Sequence, residues 1–84
     1  MTRDEIRKVV LHNLARIAPE ADLATIKPDI NLREQLDLDS IDVLNFLVGL
    51  NKELKVEIPE KDYRRIATLN DCVEYLAGVR NTRS

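Results

Sequence analysis

Three helix-capping pairs constrain the fold of this 84-residue chain more than any other feature of its sequence. Each pair places an N-cap residue three positions before an acidic residue and next to an apolar run: Thr2 with Glu5, Asp39 with Asp42, and Thr68 with Asp71. In this capping-box spacing, each side chain accepts a hydrogen bond from the backbone N–H of the other residue. The sequence therefore predicts three long helices, beginning near residues 3, 40 and 69.

The first and last predicted helices each have one apolar side. Their apolar residues recur at helical spacing: Ile6, Val9, Val10, Leu14 and Ile17 over residues 3–17, and Leu69, Cys72, Val73, Leu76 and Val79 in the last helix. We expect the last helix to fray at Gly78, and the polar residues 81–84 to be disordered.

The connecting segments contain shorter elements. Residues 18–39 are too long for a structureless connection, and their spaced apolar residues predict a loop packed on the core: Leu23, Ile26, Ile30, Leu32, Leu36 and Leu38. Asn31 can cap one short turn in this loop, and Val56 to Ile58 should be extended. Pro59 begins a short helix to Ile66, which Tyr63 and Ile66 should attach to the core.

These elements predict an all-α four-helix bundle, with three long helices and one short helix around one core. We expect a single domain over 1–84, with an ordered core at about 3–79. The lone cysteine, Cys72, has no partner for an internal disulfide and should be a small buried hydrophobe.

Charge and composition exclude several classes of function. With 13 basic and 15 acidic residues, the formal charge is −2, a balance that argues against non-specific nucleic-acid binding, because such binding requires a basic face. No signal peptide and no membrane-spanning run is visible, so we expect a cytoplasmic monomer that does not bind membranes. His12 is the only histidine, falls on the polar side of its helix and offers no evident base for a hydrolase triad. The sequence contains no metal-binding spacing.

The second long helix, from Ser40 to about Leu54, carries two apolar stripes. Val43, Phe46, Leu47 and Leu50 form the core stripe, whereas Ile41, Leu44 and Val48 lie about 130° away around the helix. One face of a small bundle cannot easily bury both stripes. We expect the second stripe to be an exposed docking patch; alternatively, the long loop covers it. Gly49 falls on the polar side, where it is either merely tolerated or approached by a partner's backbone.

Ser40 lies where the second long helix begins. Its hydroxyl would face the positive end of the helix dipole, where an attached phosphate is favoured, although a serine here can also be only a cap. Nearby carboxylates surround it: Glu34, Asp37, Asp39 and Asp42. They form either a solvated acidic surface or an attractive border for a basic partner.

The run from Leu32 to Asp42, followed by Ile58-Pro59 and a closing helix over 69–76, resembles the acyl carrier protein family. The resemblance implies a right-handed bundle in which the short helix crosses the others. It implies that Ser40 receives 4′-phosphopantetheine from coenzyme A, that a phosphopantetheinyl transferase performs this step, and that Asp39 helps it to place magnesium. The chain itself would not be an enzyme. It would carry acyl groups as thioesters to acyl-loading and acyl-processing enzymes.

The second stripe and its acidic border supply the expected partner-binding residues: Ile41, Leu44, Val48, Asp37 and Asp42. The resemblance further implies that the acyl chain is sheltered among core residues: Val43, Phe46, Leu47, Leu50, Ile58 and Ile66.

The chain departs from the pattern of the fatty-acid-synthesis carriers. Asp37 occupies the place of a glycine, Ile41 replaces the usual leucine, and Asn45, Asn51 and Lys52 stand where acidic residues are common. We therefore expect a specialised carrier with dedicated enzymes. The cargo and pathway stay open between fatty acid, polyketide and related acyl biosynthesis. An aminoacyl or peptidyl carrier, and an unmodified helical adaptor binding through Ile41 and Leu44, are the alternatives.

Overall fold

The computed structural model describes the backbone of residues 2–83 and the side chains of residues 2–79. Four α-helices are present in this part of the chain: α1 (Arg3–Ile17), α2 (Leu32–Gln35), α3 (Ser40–Leu54) and α4 (Leu69–Arg83). A 3₁₀ turn spans Leu23–Thr25, and a longer 3₁₀ helix spans Glu60–Ile66. Since residues 2–83 contain no strand, the all-α prediction is confirmed, and the predicted short helix is the second 3₁₀ helix.

The three predicted helix starts are confirmed by their capping bonds. The Glu5 backbone N–H donates to Thr2 Oγ1 at 3.1 Å, and the Thr2 N–H donates to Glu5 Oε1 at 3.0 Å. At α4, the Asp71 N–H donates to Thr68 Oγ1 at 3.1 Å. A side-chain cap of this kind contributes about 1 kcal/mol by satisfying an N–H group that has no partner within its helix.

The core lies where α1, α3 and α4 meet. Its most deeply buried apolar side chains come from all three helices and from the connector after α3: Ile6, Val10, Leu14, Leu50, Leu54, Val56, Leu69, Cys72 and Leu76. Burial raises the pKa of the Cys72 thiol to about 12, as expected for a side chain that behaves as a small hydrophobe. Within residues 2–83, none of the helices combines the length and the apolar character needed to cross a bilayer.

A cluster around Tyr75 attaches the 3₁₀ helix Glu60–Ile66 to α4. The buried Tyr75 donates its hydroxyl hydrogen to Asp62 Oδ2 at 2.7 Å, and Arg65 lies over the Tyr75 ring at 5.0 Å from its centroid. Ile66 is buried, but Tyr63 is 38% exposed, so the expectation that both would attach this helix to the core was correct only for Ile66. The spacing of the sequence did not predict that Tyr75 attaches the two helices, because its hydrogen-bond partner Asp62 lies on a different helix.

The long loop between α1 and α3 packs on the core as predicted. Gln35 stabilises it through three bonds: its Nε2 donates to the carbonyls of Lys27 and Ile30, both at 2.9 Å, and its Oε1 accepts from the Lys27 N–H at 3.0 Å. The Leu32 N–H also donates to the Ala67 carbonyl at 2.8 Å, which joins the loop to the start of α4. Ile30 was expected on the core but is 43% exposed, because the chain turns there to present Asn31 as the cap of α2.

The predicted end of the last helix was wrong. The helix α4 continues through Gly78 to Arg83, into the residues predicted to be a disordered tail, while Ser84 lies outside the described residues. One glycine costs a helix only about 1 kcal/mol relative to alanine. Buried residues in the turn before it, Leu76 and Ala77, stabilise the helix at this point.

Gly49 has a structural role that the sequence did not reveal. Gly49 is buried in α3, and a Cβ atom added there would overlap the Asn13 side chain of α1. Asn13 is itself only 2% exposed, and its Nδ2 donates to the Val9 carbonyl at 2.9 Å and to Glu53 Oε1 at 3.2 Å. Neither mere tolerance nor a partner's backbone accounts for this glycine, because the space is occupied by the protein's own amide.

Candidate functional site

Ser40 is the first residue of α3 and is exposed. Its neighbour Asp39 is the N-cap: Asp39 Oδ1 accepts from the Asp42 N–H at 2.8 Å, and Asp42 Oδ2 accepts from the Asp39 N–H at 3.3 Å. These reciprocal bonds hold both carboxylates at the first turn of α3, the turn that contains Ser40. The Ser40 hydroxyl therefore lies at the positive end of a 15-residue helix, a position that favours an attached anion.

The turn before Ser40 is closed by backbone bonds that require a left-handed residue. Asp37 has a φ of 53°, the Leu38 N–H donates to the Arg33 carbonyl at 2.9 Å, and the Asp37 N–H donates to the Glu34 carbonyl at 3.4 Å. This pair of bonds is the Schellman motif that ends many helices, usually with glycine in the left-handed position. Asp37 thus stands where the backbone favours glycine, and its carboxylate is exposed close to the site.

Arg33 is the residue near Ser40 that the sequence reasoning missed. Its Nη2 lies 3.4 Å from Ser40 Oγ, and its Nε donates to the Leu38 carbonyl at 3.2 Å. The carboxylate cluster predicted around the serine begins at Glu34, one residue after Arg33, and no contact of Arg33 with the site was predicted. A basic side chain in the short helix just before the site was the signal that could have identified it.

The second stripe of α3 is exposed, as predicted. Ile41 is 67% exposed, Leu44 55% and Val48 43%. The loop does not fold over these side chains, so the alternative in which they belong to the core is wrong. On the other stripe, Phe46, Leu47 and Leu50 are buried and Val43 is half-buried.

A groove of about 400 Å³ runs beside the exposed stripe. Its apolar lining includes Leu44, Val48, Ile58 and Tyr63. Ile58 therefore lies along the outer groove rather than in the cleft described next.

An apolar cleft of about 260 Å³ lies between α2, α3 and the 3₁₀ helix Glu60–Ile66. Its lining includes four of the six residues that the resemblance assigned to the acyl chain: Val43, Phe46, Leu47 and Ile66. Leu50 is fully buried in the core and does not line it. Arg33 belongs to the lining, so the cleft and the Ser40 hydroxyl share a neighbour.

These residues fit a phosphopantetheine group. The hydroxyl that would bear it is exposed at a helix N-terminus, a guanidinium lies within hydrogen-bonding distance, and an apolar cleft adjoins that guanidinium. Ser40, Asp37, Asp39 and Asp42 come together at one end of α3, and the exposed stripe begins directly after them.

Comparisons with known proteins agree with this geometry. A family model described as a phosphopantetheine attachment site matches residues 5–76. An acyl carrier protein from Campylobacter fetus subsp. fetus is 31% identical over 77 residues, which cover 92% of this chain and 94% of that protein. Another from Wolinella succinogenes is 33% identical over 73 residues, covering 87% and 90%. The solved structure of an acyl carrier protein from Enterococcus faecalis superposes with a TM-score of 0.79 at 26% identity, covering 94% of this chain and 99% of that one.

Proposed function

The chain belongs to the acyl carrier protein family, and on that premise we propose that Ser40 is the residue that bears its 4′-phosphopantetheine. The observation that carries the proposal is the exposed Ser40 hydroxyl at the start of α3, next to the exposed stripe of Ile41, Leu44 and Val48. When bound, the group supplies a thiol that holds an acyl chain as a thioester. The chain contributes attachment, shelter and docking, and no catalytic step.

A separate phosphopantetheinyl transferase performs the loading. Ser40 Oγ attacks the phosphorus of coenzyme A that carries the pantetheine; the Oγ–P bond forms, the pyrophosphate P–O bond breaks, and 3′,5′-adenosine bisphosphate leaves. The hydroxyl proton passes to a base of the transferase. Asp39 supports this step, because its capping bond keeps a carboxylate next to Ser40, where it can share the magnesium ion of the transferase.

Partner enzymes dock on the exposed stripe. Three apolar side chains make a small contact, and the carboxylates of Asp37 and Asp42 border it and attract basic partner surfaces. A small interface of this kind binds weakly. Weak binding suits a carrier that must leave one enzyme before it reaches the next.

The cargo lies in the cleft beside Val43, Phe46 and Leu47, and the partners are dedicated enzymes of a specialised acyl pathway. Asn45, Asn51 and Lys52 support the second point: all three are exposed on α3 and present amide groups and a cation where an acidic helix would present carboxylates. The single-domain organisation, the monomeric state and the cytoplasmic location stay predictions.

Intact mass spectrometry tests the attachment. The protein is incubated with coenzyme A, magnesium and a broad-specificity phosphopantetheinyl transferase, and we expect its mass to increase by one phosphopantetheine. The chain has only two serines, so Ser84→Ala is the matched control. Ser40→Ala should abolish the mass increase, and Ser84→Ala should leave it unchanged.

The same experiment decides between the carrier and the adaptor. If the folded protein gains no mass, the attachment proposal fails and the exposed stripe is the binding surface of an unmodified adaptor. If Ser40 is loaded, acyl and aminoacyl cargoes are separated by offering the loaded protein to acyl-loading and to aminoacyl-loading enzymes and measuring which thioester forms.

A further inference from the structure

The guanidinium of Arg33 is held in a defined position beside Ser40. Its Nε donates to the Leu38 carbonyl at 3.2 Å, which fixes the guanidinium plane, and its Nη2 lies 3.4 Å from Ser40 Oγ. Arginine has five N–H donors, so these two contacts leave donors for another group. A phosphate bound to Oγ would place its non-bridging oxygens within reach of Nη2.

The carboxylates around the Ser40 hydroxyl make a nearby cation favourable once a phosphate is attached. Exposed or half-buried carboxylates occupy the segment around Ser40: Glu34, Asp37, Asp39 and Asp42. A phosphodiester on Oγ adds a further negative charge to this cluster, and like charges at close range raise the free energy of the loaded state. The α3 N-terminus offsets part of this repulsion, but the Asp42 N–H already donates to Asp39.

We propose that Arg33 binds the phosphodiester that attachment creates on Ser40, and thereby directs the first part of the arm towards the apolar cleft. This inference rests on the proposed attachment at Ser40. Arginine is suited to the task because its planar donors match the oxygens of a phosphate group. Arg33 also lines the cleft, so an arm that starts at this guanidinium begins next to Leu38 and Val43.

The proposed contact between the Arg33 guanidinium and the phosphodiester is exposed and electrostatic, so salt weakens it. In the absence of salt the arm stays close to the cleft, and in high salt it samples solvent more freely. Arg33 acts as a positioning residue for the arm.

Nuclear magnetic resonance of the apo and loaded full-length protein tests the contact without any partner enzyme. On loading, the Arg33 Nε–H signal should shift, and its exchange with water should slow by about threefold, the factor that an exposed ion pair supplies. The ³¹P signal of the loaded protein should shift in Arg33→Gln and move only part of the way in Arg33→Lys. High salt should move the wild-type ³¹P signal towards its position in Arg33→Gln.

Arg64→Gln is the matched control, because Arg64 also lines the cleft and its replacement removes the same charge. Its ³¹P signal should stay at the wild-type position. The inference is overturned if Ser40 is loaded and both the Arg33 Nε–H and the ³¹P signal of Arg33→Gln are unchanged, or if Arg64→Gln shifts the ³¹P signal equally. If Arg33→Gln does not fold, the Nε–H measurement on the wild-type protein decides alone. Absence of loading at Ser40 would instead overturn the attachment itself, and this inference with it.

Discussion

Replacing Gly49 by alanine should destabilise the protein, although alanine is the better helix former. In an open helical position the change would stabilise α3 by about 1 kcal/mol. At Gly49 the new Cβ atom overlaps the side chain of Asn13, which lies across the contact between α1 and α3. Asn13 must therefore move, or the two helices must separate.

The expected cost follows from the bonds of Asn13. Forcing an extra carbon into a packed contact costs about 1–3 kcal/mol. Displacing the amide also breaks its bond to Glu53 Oε1, worth about 1 kcal/mol, and leaves a buried polar group without a partner, which costs about 1–3 kcal/mol. These costs overlap, and the helix-propensity gain offsets part of them. We expect a net loss of about 1–3 kcal/mol in the free energy of unfolding.

Urea denaturation followed by circular dichroism measures this loss. Gly78→Ala is the matched control, since a Cβ added at Gly78 in α4 meets no heavy atom within 4 Å. That variant should gain about 0.5–1 kcal/mol. The double variant Asn13→Ala with Gly49→Ala removes the obstructing amide, so in the Asn13→Ala background the Gly49→Ala change should be neutral or stabilising.

Two outcomes would refute this reasoning. If Gly49→Ala stabilises the protein as Gly78→Ala does, the contact with Asn13 is not tight. If Gly49→Ala destabilises it by the same amount with and without Asn13, some other neighbour is responsible for the cost.

Three further predictions concern other contacts. Asp37→Gly should stabilise the protein by up to about 1 kcal/mol in urea denaturation, because glycine adopts the left-handed conformation at φ 53° more easily; a loss of stability would contradict this. Tyr75→Phe should cost about 1 kcal/mol by removing the 2.7 Å bond to Asp62, and an unchanged unfolding midpoint would refute it. Arg3 lowers the pKa of Glu74 from its ordinary value of 4.5 by a hydrogen bond and by its charge. The stability that this ion pair contributes is therefore complete above pH 4.5, and it is lost as the pH falls through the lower pKa of the folded state. The stability difference between the wild type and Glu74→Gln should therefore be constant above the ordinary pKa of 4.5 and shrink as the pH falls below it, and a difference that does not change with pH would contradict the assignment.

The sequence predicted those parts of the fold that depend on local chemistry. Capping pairs such as Asp39 with Asp42 specify where helices begin, because the bonds that form the cap lie within four residues of chain. The two stripes of α3 were likewise predictable, since a helix of known period leaves Ile41 and Leu44 far from the core side.

The features that the sequence did not predict depend on contacts between distant segments. Asn13 and Gly49 are 36 residues apart, and only the packing of α1 on α3 brings them together. The contact between Arg33 and Ser40 depends on the turn at Asp37, whose left-handed backbone returns the chain past the end of α2. The length of α4 beyond Gly78 depends on how firmly the preceding turn is buried.

The burial of Cys72 has a practical and a chemical consequence. With its thiol fully enclosed and its pKa at about 12, almost none of it is present as thiolate at neutral pH, and reagents do not reach it. In a loaded molecule, the pantetheine sulfur is then the sole reactive thiol. A colorimetric thiol titration of the native protein therefore measures the number of phosphopantetheine groups per molecule. Because Cys72 is enclosed, it also cannot take the acyl group from a thioester on the arm by thiol exchange.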